Sequence, residues 1–146
     1  NMSFMKSMDI VGSALTAERF RMDTILQNIA NSNTTRTPEG EPYRRKQVVF
    51  QERAIDFQSA LADASNRIER GGVRVTEVVE SQRDFTPVYD PSHPDANEDG
   101  YVMYPNVNLT EERVDLMAAS NAYDANLTAL AVVKSLTLKA LEIGKA

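Results

Sequence analysis

The chain reads as an α+β protein: long N- and C-terminal helices paired as a coiled-coil-like hairpin, with a small β-rich middle between them. Three observations carry that reading. Apolar residues recur every three or four positions near both ends, the pattern of helices that pack side by side. β-branched and aromatic runs punctuated by Gly, Pro and Asn fill the stretch between. The charge is unevenly divided: residues 1–35 carry three acids and three bases, and residues 109–146 five acids and four bases. Residues 73–108 carry seven acids against Arg74 and Arg83, which accounts for the net charge of -5. Nearly neutral ends can lie together without repulsion, while the acidic surface belongs to the middle. The expected divisions are residues 1–35, 36–108 and 109–146.

The first helix is expected over residues 4–31. Phe4, Met8, Val11, Leu15, Met22, Ile25 and Ile29 form its seam, interrupted at Glu18, and Leu26 and Ala30 widen the face. The polar run Asn31–Thr35, with Pro38 and Gly40 beyond it, ends the helix. At 1.5 Å per residue such a helix is roughly 40 Å long, more than a small globule needs. An ordinary core helix fits the same pattern.

Arg44–Phe50 reads as a strand, ending in Val48-Val49-Phe50. Phe57, Leu61, Ala64 and Ile68 keep helical spacing, so residues 54–70 are expected as a short helix or ordered loop. Gly71-Gly72 marks a turn into a second strand holding Val73, Val75, Val78 and Val79, and Phe85–Tyr89 and Tyr101–Tyr104 give two more. Together these predict one small antiparallel sheet, marginal alone and leaning on the helices or on neighbouring chains. Asn108 followed by Glu111 predicts a capping box for the last helix, and Asp115 adds an acid near its positive end. Leu116, Tyr123, Leu127, Leu130, Val133, Leu136 and Ile143, with Ala119 and Ala140, run down its apolar face, and Gly144 marks its end.

The middle holds little that reads as chemistry. Asp95–Gly100 matches the first six positions of a calcium-binding EF-hand loop, but position twelve is Asn106, and Pro91, Pro94 and Pro105 crowd the flanks; an acidic turn is the expected structure. His93, the only histidine, has no nucleophile motif beside it and reads as a solvated loop residue. Arg44-Arg45-Lys46, balanced by Glu39, Glu41 and Glu52, reads as a solvated strand edge. Asn28, Asn31, Asn121 and Asn126 lie in or beside the helices, where an amide either fixes register or faces solvent. The N-x-[ST] sites at Asn33, Asn108 and Asn126 carry no weight in an Asn-rich chain. With no cysteine, thiolate metal sites and disulfides are excluded. Acidic balance argues against nucleic acid as a partner, and no run of apolar residues suffices for a membrane span. Charges at Asp9, Glu18, Arg19, Arg21 and Asp23 leave no hydrophobic signal region. No catalytic, cofactor or metal residues are therefore expected.

Certain segments resemble a known family. Gly12–Ala17 and Leu26–Asn31 resemble the N-terminal signature of bacterial flagellar rod and hook axial proteins, and Ala118–Asn126 with Lys134–Leu136 and Ala140-Leu141 resembles their C-terminal one. Gly40–Phe50, Tyr89–Ala96 and Gly100–Asn108 are similar to the proximal-rod members. The resemblance implies a structural subunit without catalysis, exported without a cleavable signal peptide through the flagellar type III apparatus and assembled in the periplasmic rod of the basal body. Its partners would be copies of itself, other rod proteins and the adaptor joining rod to membrane ring, packed through the terminal helices around the export channel to transmit torque. Another axial subunit, or an unrelated helical hairpin carrying an enzymatic loop domain, are the alternatives.

Overall fold

A computed structural model describes residues 2–53 and 72–145, and the helix or loop expected over 54–70 lies outside those residues. Helix α1 spans Met2–Ala30 and helix α2 spans Leu109–Gly144. Among the described residues four strands stand between them: β1 (Lys46–Glu52), β2 (Val73–Glu80), β3 (Thr86–Tyr89) and β4 (Tyr101–Tyr104). Helix α1 is the hub, packing on α2 along one side and on β1 and β2 along another.

The strands form two separate antiparallel ribbons, β1 with β2 and β3 with β4, in place of the single sheet expected. In the first, Val48 lies opposite Val78, and the register shifts between Val49 and Phe50, where Phe50 lies opposite Val75. Thr76 is the extra residue, and its hydroxyl donates to the Val49 carbonyl at 3.1 Å. Short ribbons of this kind gain stability from what they pack on. Here that support is α1: the Ser13 hydroxyl accepts from the Val73 amide at 3.0 Å and donates to the Ile10 carbonyl at 2.7 Å. Gly72, at φ +119, makes the approach possible, because any Cβ there would collide with Ser13 Oγ.

Chain entry into β1 is set by a turn. Gly40 takes φ +87, the Thr37 amide and hydroxyl both donate to the Glu41 carbonyl at 2.8 Å, and the Tyr43 amide donates to Thr34 at 3.1 Å. At the start of α2, Asn108 Oδ1 accepts from the amides of Thr110 and Glu111, at 3.0 and 3.2 Å. The reciprocal half of the expected capping box is replaced. The Glu111 carboxylate is held by the Arg83 guanidinium at 2.9 Å, because a cation competes better for it than a backbone amide.

The acidic turn before β4 has its own scaffold. Asn97 Oδ1 accepts from the amides of Asp99 and Tyr101, and Gly100 takes φ +81. Asp95 reaches back to the segment that follows α1, accepting from the Thr35 hydroxyl at 2.8 Å and facing Arg36 at 3.4 Å. His93 is half-buried rather than solvated: its Nδ1 accepts from the Asp95 amide at 3.0 Å and its ring lies against Tyr104.

Candidate functional site

Where the end of α1 meets the start of α2, a set of buried polar groups ties every neighbouring element together. Asn28 is fully buried and uses its whole amide. Its Nδ2 donates to the Lys46 carbonyl at 2.8 Å and to Glu112 Oε2 at 3.1 Å, while its Oδ1 accepts from the Tyr43 hydroxyl at 2.8 Å and the Lys46 amide at 2.9 Å. Glu112 is likewise fully buried and pairs with the equally buried Arg45 through Nε. Arg45 extends Nη2 to Asp115 at 2.9 Å and Nη1 towards Glu111 at 3.6 Å.

Asn106 completes the joint from the other side. Its Oδ1 accepts from the Arg45 amide at 2.7 Å, and its Nδ2 donates to the carbonyls of Ser81 and Arg83 at 3.1 and 2.9 Å. Arg44 lies over the Phe85 ring at 4.3 Å and donates to Ser81. Buried charges persist only when paired and hydrogen-bonded, and here the carboxylates of Glu112 and Asp115 answer the guanidinium.

The electrostatics follow from this packing. Burial, reinforced by the negative charges of Glu112 and Glu80, pushes the Tyr43 phenol up to about 12, so it stays protonated and remains a donor to Asn28. The hydrogen bond from Arg83, with the nearby charge of Arg45, holds the Glu111 carboxyl below the usual glutamate value.

The solvated strand edge expected at Arg44-Arg45-Lys46 is thus corrected: Arg45 is 3% exposed and is the centre of the joint. Nothing local marks it, because its partner Glu112 lies 67 residues away. Asn28 takes the register-fixing role of its two possible readings, whereas Asn31 and Asn126 bond back to helix carbonyls four residues earlier and Asn121 is exposed.

The expected seam behaves differently. Of its residues on α1, Ile25 is buried, Phe4, Val11, Leu15, Met22 and Ile29 are half-buried, and Met8 is exposed. On α2, Leu116, Tyr123, Leu130 and Val133 are half-buried, while Leu127, Leu136 and Ile143 are exposed, the last at 78%. Glu18, which interrupts the α1 seam, is largely buried; its Oε2 has no hydrogen-bond partner among the described residues and lies 3.6 Å from Arg21. Leu26, expected on the widened α1 face, is exposed, and spacing alone missed further exposed apolar side chains: Met5 and Phe20 on α1, and Val114, Met117, Val132, Leu138 and Leu141 on α2. For two of them a signal was present, since Val114 and Val132 stand about five helical turns apart, on a line that the seam residues Leu136 and Ile143 continue.

Concavities are shallow. A groove of about 580 Å³ between α1 and β2 is floored by Met8, Gly12, Thr16 and Phe20 and rimmed by Asp9, Arg53 and Arg74, without converging acid and base groups. Among the described residues, no group of three or more His, Asp or Glu is placed to hold a metal ion, and no helix is long and apolar enough to cross a membrane.

Comparison with known proteins bears on both helices. Residues 8–36 match the family model described as flagella basal body rod protein, and residues 98–143 match that of the flagellar basal body rod FlgEFG protein C-terminal. The chain is 45% identical to the flagellar basal-body rod protein FlgC of Bacillus subtilis over 150 residues, covering 99% of this chain and 100% of that one. It is 42% identical to the protein of the same name from Escherichia coli O6:H1, with the same coverage. It is also 40% identical to that of Borreliella burgdorferi, over 97% of this chain and 98% of the relative.

Proposed function

The chain belongs to the flagellar basal-body rod family, and on that premise we propose that its paired helices are the surface by which it assembles, as a structural subunit of the FlgC kind, into a hollow axial shaft. The observation that carries this reading is the apolar surface left open along both helices. Removing apolar area from water is worth roughly 25 cal/mol per Å², so side chains such as Met5, Leu136 and Ile143 favour association. The seam Phe4, Met8, Val11, Leu15, Met22, Ile25 and Ile29, with Leu116, Tyr123, Leu127, Leu130, Val133, Leu136 and Ile143, serves two purposes in this reading. Part of it closes the helix pair, and the remainder meets neighbouring copies and other rod proteins.

In the assembled shaft the helices surround the export channel, the strands lie outside them, and torque passes between subunits through the helix contacts. The subunit reaches the periplasm through the flagellar export apparatus and meets, at the base of the rod, the adaptor to the membrane ring. Its role is mechanical and not catalytic. The test is complementation of a strain lacking the protein. Leu136→Glu and Ile143→Glu should abolish motility and rod incorporation while leaving the melting temperature of the isolated chain unchanged. Normal motility with both substitutions would overturn the reading.

A further inference from the structure

Among the described residues, the ribbon β3–β4 contacts no other helix or strand, yet it presents an apolar face. Val102 is fully buried, so its neighbours Tyr101 and Met103 point the opposite way, joined there by their cross-strand partners Tyr89 and Pro87. All four are exposed, Tyr89 at 66%. The Tyr89 and Tyr101 rings meet edge to face at 5.3 Å, and Gly100 lies so close under Tyr89 that a Cβ would approach the ring to 3.0 Å. The two rings support each other before anything binds, which lowers the entropic cost of binding.

Acids stand at both ends of this face: Asp84 before β3, Glu98 and Asp99 in the loop before β4. Residues 84–104 contain no Lys or Arg, and among the described residues no cation pairs with these three carboxylates. From Asp84 to the closing loop the ribbon runs roughly 15–20 Å at strand rise.

The far end of α2 carries the complement. Lys134, Leu138, Leu141 and Lys145 follow spacings of four, three and four, which places two exposed leucines between two exposed lysines on one helical face. The lysines are roughly 16 Å apart along the helix, matching the separation of the acids. Within one copy the two surfaces cannot meet, because β4 ends just before α2 begins and Lys134 lies roughly 38 Å along the helix from Leu109.

We infer that the Tyr89–Tyr101–Met103 face of one copy receives the Lys134–Lys145 face of α2 from a second copy. Tyrosine and methionine supply the buried centre of such a contact, and lysine–carboxylate pairs at its rim set orientation. The contact joins different patches on the two copies, so by repetition it builds a ring or a helical array instead of closing a two-fold dimer. It rests on the assembly reading above and names a pair of surfaces within it.

Because the chain has no cysteine, thiol cross-linking has a clean background. Full-length Met103→Cys and Leu138→Cys chains, mixed and treated with a short bismaleimide, should give a mixed cross-linked dimer. Raising salt from low to high should lower its yield, because the rim charges are screened. Lys134→Glu with Lys145→Glu on the Leu138→Cys chain should abolish it, and Asp84→Lys with Glu98→Lys and Asp99→Lys on the Met103→Cys chain should restore it. Circular dichroism of each variant reports that the fold is kept. Absence of the mixed dimer, or a yield indifferent to these charge reversals, overturns the inference. Loss of motility in Leu136→Glu would still uphold assembly through the helices, so the two readings fail separately.

Discussion

The two ends of the helix pair are built on opposite principles. Where α1 ends and α2 begins, Asn28, Arg45, Asn106 and Glu112 are sealed from water and each is answered by a partner. Towards residue 143 of α2, Val132, Leu136, Leu138, Leu141 and Ile143 are exposed to solvent. A buried charge network is costly to leave incomplete, so the first end is satisfied within one copy. Exposed apolar area costs less to leave and gains from any partner, so the second end is suited to a contact made later. One end fixes the shape of the subunit, and the other is available for joining subunits together.

Substitution can test how sharp that contrast is. The largest effect is expected at Arg45→Ala, which strips the partner from fully buried Glu112 and should cost about 3–5 kcal/mol of stability in denaturant unfolding. Replacing both members, Arg45→Met with Glu112→Leu, should recover most of that loss, because the cost lies in the orphaned charge. If the double substitution is as damaging as the single one, the joint contributes through geometry more than charge. Asn28→Ala should follow at about 2–3 kcal/mol, since it leaves the Lys46 amide and carbonyl and the Tyr43 hydroxyl without a partner.

Titration probes the same joint more gently. The Tyr43 phenol is raised in the folded state, so its contribution is complete below the ordinary tyrosine value of 10.0 and is lost as pH rises towards about 12. Unfolding followed over that range should show a falling midpoint that Tyr43→Phe flattens. Glu111 is shifted the other way. Its contribution is present above the ordinary glutamate value and lost as pH falls through its lowered folded value, so Glu111→Gln should blunt acid destabilisation slightly. The smallest effect belongs to the open end: Leu136→Ala should change the stability of the isolated chain by no more than about 0.5 kcal/mol. A loss comparable to that at Asn28 would erase the distinction between the two ends.

Much of the fold was legible because it is local. Heptad-like spacing placed α1 and α2 within two residues of their ends, and β4 was placed at its observed bounds. Asn108 announced its helix by residue type and position. The pairing of strands was less legible. Nothing in four short strands says whether they share a sheet, and they form two ribbons because each pairs with its sequence neighbour while only β1–β2 lies on α1. The joint was least legible of all. Arg45 sits in a basic triplet flanked by acids, Glu112 sits in the first turn of a helix where acids are ordinary, and neither pattern states that the two meet out of water.

The sequence alone therefore determined two long helices with apolar seams, a strand-rich middle carrying the negative charge, and kinship with the rod family, all of which rest on short-range periodicity or on matching strings of residues. Tertiary structure decided which charges are buried, which asparagine is a tie, and which apolar side chains one copy leaves uncovered. Those outcomes depend on distances between residues far apart in the chain, and no local pattern encodes how much water remains between them once the helices close.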